Sequence, residues 1–134
     1  MFTAEIEYLG NLRTSCKHVQ SGTTIITDAP IDNKGKGEAF SPTDLVATAY
    51  ASCMLTIIGI YCQERDIEFK HATSRVRKIM GSEPRRIGKL VVEMDFSGNN
   101  WDDTTFNRII KAGMACPVAK TLGDQVEVEF DFIH

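Results

Sequence analysis

What the chain lacks narrows its possible functions. It has no excess of basic charge: fifteen Lys and Arg stand against eighteen Asp and Glu, a formal charge of −3. Mild acidity of this kind gives no long-range attraction for nucleic acid or for an anionic bilayer. There is no CxxC pair among the four cysteines, Cys16, Cys53, Cys62 and Cys116, which removes the usual zinc and thioredoxin-type spacings. No basic and then apolar leader opens the sequence; Met1-Phe2-Thr3-Ala4-Glu5 passes straight into strand-like alternation. Reduced thiols and a cytoplasmic location are therefore expected. Repeats and low-complexity tracts are absent. Most telling, no charged side chain occurs from Leu45 through Gln63.

The 134 residues, 43% of them hydrophobic, suit one domain spanning 1–134. A chain of this length removes only about two-thirds of its unfolded surface from water, so a second subunit would add useful cover. Period-two runs over Phe2–Tyr8 and Leu12–Val19, with Gly10-Asn11 between them, predict a hairpin. Thr23–Thr27 after Ser21-Gly22 adds a third strand, and the polar, glycine-rich 31–40 stretch is a surface loop. Ser41-Pro42-Thr43-Asp44 combines a capping serine, a first-turn proline and an acid three residues after the cap. A helix is expected to start there and run to about Arg65.

That helix is long and apolar enough to raise the question of a membrane span. Thr48, Ser52, Thr56 and Gln63 interrupt it and the flanking strands are those of a soluble α+β domain, so a buried helix and no membrane are expected. It is apolar around most of its circumference, which a single small sheet cannot cover. The economical cover is the same helix from a second copy, hence a homodimer. Strands over Lys70–Met80 and Lys89–Phe96, a helix from about Trp101 to Met114, a helical turn at Pro117 and a terminal strand over Val126–Phe132 complete the order β-β-β-α-β-β-α-β.

The chemistry-bearing candidates are thiols. Cys53 lies midway along the apolar helix, and Cys62, nine residues on, falls on the opposite face at about 100° per residue. Both suit a core as small hydrophobes. Cys116 directly precedes Pro117, where the free N–H groups of a new helical turn stabilise a thiolate, which favours Cys116 as the more acidic thiol. One cysteine on a core helix and one at a distant helix start is also the pairing that a disulfide-forming peroxide reductase uses. Cys16-Lys17-His18 offers too few ligands on one strand face for a metal. The basic residues Arg75, Arg77, Lys78, Arg85, Arg86 and Lys89 lack interleaved aromatics and suit a solvated sheet face better than a nucleic-acid surface.

Ser41-Pro42-Thr43-Asp44-Leu45-Val46-Ala47 with Ala51-Ser52-Cys53-Met54, and later Ala115-Cys116-Pro117-Val118-Ala119, resemble the two cysteine motifs of the OsmC/Ohr family. The resemblance covers nearly the whole chain. It implies an α+β fold in which antiparallel sheets wrap long central helices in an intertwined homodimer. It also implies thiol-dependent reduction of organic hydroperoxides, with Cys53 attacking the peroxide, Cys116 resolving it as a disulfide, and no metal, flavin or other cofactor. A dithiol or lipoylated protein would be the reductant. A mid-helix thiol in apolar surroundings needs a cation to ionise, and Arg13 matches the region that supplies one in the family. The chain departs from the pattern after the helix-opening proline, where family peroxidases place a glutamate that holds the arginine; here Thr43 stands there with Asp44 next. Two readings stay open: a peroxidase in which Thr43 and Asp44 support Arg13, or a non-catalytic dimer of the same fold that binds a small apolar ligand and keeps its cysteines structural.

Overall fold

The computed structural model describes residues 1–134. Strands β1 (Ala4–Gly10), β2 (Arg13–His18) and β3 (Thr24–Asp28) precede helix α1 (Pro42–Glu64); β4 (Thr73–Gly81) and β5 (Arg86–Asp95) follow. Helices α2 (Asp103–Met114) and α3 (Pro117–Leu122) then lead into β6 (Glu127–Ile133). The expected order of elements is present, with a short 3-10 turn at Ile31–Asn33 inside the glycine-rich loop. Two boundaries moved by three residues: β4 begins at Thr73 rather than Lys70, and β5 begins at Arg86 rather than Lys89. The backbone at Lys70 and His71 is bound by the Asn99 side chain instead of a strand neighbour.

The chain forms two compact units, Met1–Val46 and Ala47–His134. In the first, β1, β2 and β3 make an antiparallel meander in which Ile6, Cys16 and Ile25 stand side by side. Gly10, Asn11 and Leu12 turn the first hairpin, all at positive φ. For Leu12, at φ 63, this is an uncommon conformation. Its carbonyl accepts from Ala29 N–H and its N–H donates to the Tyr8 hydroxyl. The α1 cap belongs to this unit. Asp44 N–H donates to Ser41 Oγ at 3.0 Å while Ser41 N–H donates to the Asp44 carboxylate at 2.9 Å, the reciprocal bonds of a capping box.

In the second unit β5 lies between β4 and β6. Pairing with β4 is antiparallel, but β5 and β6 run parallel, so the expectation of antiparallel sheets is corrected here to a mixed sheet. The reason is the connection: α2 and α3 intervene between β5 and β6, and a helical crossover returns the chain in the same direction. Leu90, Val92, Met94 and Phe96 all point to the buried face. Against them pack Ala47, Tyr50, Ala51, Met54, Ile58 and Cys62, spaced three or four apart and so forming one stripe of α1. Ile60, on another side of the helix, remains 46% exposed. From α2 come Phe106, Ile109 and Ile110. Gly113 completes that face, and a Cβ there would sit 2.9 Å from two Ile58 side-chain carbons, so only glycine permits this approach of α2 to α1.

Candidate functional site

Each unit carries one cluster of chemical interest. In the second unit Cys53, in the middle of α1, packs against the buried cluster that contains Cys116, at the start of α3, and both are free thiols. Two elements produce this. α1 carries Cys53 beside its buried stripe, partly open, while the bend between α2 and α3 places Cys116 inside the core with no exposed surface. Cys116 is the N-cap of α3, and its Sγ accepts from Ala119 N–H at 3.4 Å.

The cap expected from Cys116-Pro117 is therefore present, but its electrostatic consequence is reversed. Burial pushes the Cys116 thiol above the ordinary cysteine range; the Ala119 and Val118 N–H groups pull it down, and the neighbouring Cys53 sulfur pushes it up again. Desolvation outweighs a short helix start because Cys116 has lost its water altogether, while α3 is only six residues long. Cys116 is thus held as a thiol. Cys62, the last residue of the buried α1 stripe, has its pKa raised by burial.

Sequence reasoning did not single out Tyr50. One turn before Cys53 and buried, it has its pKa raised by burial and secondarily by the charge Cys116 would carry. Its ring lies 6.4 Å from that of Phe130, and it borders an open depression lined by Met114, Ala119, Lys120 and Val128.

The first unit holds Arg13. The β2–β3 pairing sets Arg13 directly opposite Asp28 on β3. Its Nε donates to one Asp28 carboxylate oxygen at 2.7 Å and its Nη2 to the other at 2.9 Å. Nη2 also reaches Glu38 at 3.1 Å. Asp28 is 1% exposed and accepts in addition the Glu38 backbone N–H at 3.0 Å. Bonding to the Arg13 guanidinium holds its carboxyl below the usual range although burial pushes the other way, and the two carboxylates raise the Arg13 pKa still further. Asp44 serves the capping box and Thr43 Oγ1 meets Ser41 Oγ at 3.2 Å. The acids on Arg13 are Asp28 and Glu38, which sequence reasoning missed.

The profile of the OsmC-like protein family matches residues 35–131. A crystal structure from Psychrobacter arcticus, described as an osmotic stress induced and detoxification response protein, is 45% identical. It superimposes with a TM-score of 0.92 over 98% of this chain and 96% of that one. The organic hydroperoxide resistance protein OsmC of Legionella pneumophila shares the fold at 14% identity and a TM-score of 0.78, over 100% of this chain and 98% of its own. OhrB of Bacillus subtilis, an organic hydroperoxide resistance protein, does so at 18% identity and 0.70, over 98% of each chain. Among curated protein sequences none matches. The fold, the cysteine motifs and the match over residues 35–131 place the chain in the OsmC-like protein family.

Proposed function

We propose that this protein is a thiol-dependent reductase of organic hydroperoxides acting in oxidative-stress defence, and that it works as a cytoplasmic homodimer. The observation carrying this is that Cys53 packs against the buried cluster holding Cys116, in a fold shared with hydroperoxide resistance proteins. In the first step the Cys53 thiolate attacks the nearer peroxide oxygen. The O–O bond breaks, ROH leaves after taking up a proton, and Cys53 becomes a sulfenic acid. In the second, the Cys116 sulfur attacks that sulfenic sulfur, an S–S bond forms and water departs. A dithiol, free or on a lipoylated protein, returns both sulfurs to thiols and is itself oxidised to a disulfide.

The raised Cys116 pKa suits this division of labour, since the group that stays protonated serves as hydrogen-bond donor first and as resolving thiol second. Arg13 is assigned as the cation that favours the Cys53 thiolate and polarises the peroxide, with no metal or organic cofactor. The second copy would cover the apolar side chains that one copy leaves open, among them Ile60 on α1 and Ile6 on β1.

The test is consumption of cumene hydroperoxide in the presence of dihydrolipoamide. Wild type should turn over. Cys53→Ser should abolish turnover, and Cys116→Ser should let a sulfenic acid accumulate on Cys53, trapped by dimedone and seen by mass spectrometry. Oxidised wild type should contain a Cys53–Cys116 disulfide. An inert wild type whose cysteines stay reduced under peroxide would leave a binding dimer as the function.

A further inference from the structure

Of the five N–H bonds on a guanidinium, the two carboxylates engage three on Arg13: Nε–H and one Nη2–H go to Asp28, and the other Nη2–H goes to Glu38. Nη1 takes part in none of these contacts. The two acids differ sharply in setting. Asp28 is buried, fixed by both Arg13 nitrogens and by the Glu38 N–H. The Glu38 side chain is 64% exposed, on the glycine-rich loop, and holds Arg13 through a single bond. Together the three side chains carry one net negative charge.

We infer that Asp28 is the positioning residue of Arg13, and that Glu38 is a tethered carboxylate which takes one further N–H of the cation and selects uncharged hydroperoxides over carboxylate-bearing ones. This rests on the peroxidase reading above. A buried bidentate partner sets the plane of the guanidinium and leaves the Nη1 edge as its only unengaged donor pair. A neutral hydroperoxide needs only such a donor. A substrate with its own carboxylate must compete with Glu38 for the same cation and meets the net charge of the cluster. Because Glu38 is exposed, its influence is screened by salt; that of Asp28 is not.

The experiment compares kcat/KM for cumene hydroperoxide and its para-carboxylate, which differ by one charge. Wild type should favour the neutral compound. Glu38→Gln should shrink that preference by about fivefold, the scale of one exposed ion pair, and the change should fade at 0.5 M salt. Asp28→Asn should lower kcat/KM for both substrates alike. A second readout stands apart from turnover: ¹⁵N spectra of the Arg13 guanidinium during an acetate titration. Acetate should move the Arg13 signals saturably in Glu38→Gln and much less in wild type, while Asp28→Asn should lose the sharp, exchange-protected Nε–H signal. An unaltered preference in Glu38→Gln, or identical acetate responses, would overturn the inference. Absence of turnover with both substrates would count against the peroxidase reading, and the acetate titration would then decide the role of Glu38.

Discussion

The two units of the chain bury opposite kinds of residue. Every fully buried side chain in the second is apolar, from Ala47 through Cys116, whereas the only buried residues in the first are Thr27, Asp28 and Ser41. The second unit therefore carries its own stability: Leu90, Val92, Met94 and Phe96 each contribute about 1.5–3 kcal/mol by leaving water. The first is held by strand ladders, a capping box and an ion pair, with Ile6, Tyr8, Ile25 and Ile26 left on its surface. A core supports a site by rigidity, as with the two thiols. A surface sheet supports one by hydrogen bonds, as with Arg13.

Substitutions can break this contrast. The largest effect is expected from Leu90→Ala, at about 2–5 kcal/mol by chemical denaturation, because Leu90 has no exposed surface. Ile6→Ala, at a residue 64% exposed, should cost little in dilute protein. If its cost grows with protein concentration, the second copy covers the sheet; if it stays small at every concentration, the homodimer does not use that face. Gly113→Ala should follow at about 1–3 kcal/mol, since its new Cβ meets Ile58. Ser41→Ala should remove about 1 kcal/mol by opening the capping box. Arg75→Ala, breaking an exposed pair with Glu93 on the outer sheet face, should change stability by no more than about 0.5 kcal/mol.

Each unit also carries groups that tie its stability to pH, as amide hydrogen exchange can follow. Asp28 has a folded pKa below its unfolded value of about 3.9. Its stabilisation is present above that value and is lost as pH falls through the lower folded one, so acid should open the first unit. Asp28→Asn should remove this dependence. Cys62 and Cys116 have folded pKa values above the unfolded thiol value of about 8.5. Their contribution is complete below that value and is lost as pH rises through the folded ones, so alkali should open the second unit. Serine at both positions should flatten that limb.

Much of the fold was legible because the local signals agree with it. The Ser41-to-Asp44 cap, the Cys116-Pro117 cap and the strand alternation each operate within a few residues. The parallel placement of β6 was not, because alternation fixes which face a strand shows and not the direction in which it pairs. Asp28 was missed for a related reason. The β2–β3 hairpin is centred on Gln20-Ser21, which sets Arg13 opposite Asp28, and strand alternation does not specify that register. The acidity of Cys116 was misjudged because a cap is visible in sequence, whereas loss of hydration depends on what packs around it.

The parallel pairing of β5 with β6 also bears on how the second unit is assembled. During synthesis β4 and β5 can zip together as a hairpin, yet one edge of β5 stays open until both intervening helices have emerged and β6 arrives. Contacts this distant along the chain form late, and an exposed apolar strand invites pairing with a stranger meanwhile. Ribosome-bound chains ending before Glu127 should therefore be the species most prone to aggregate and most dependent on chaperones.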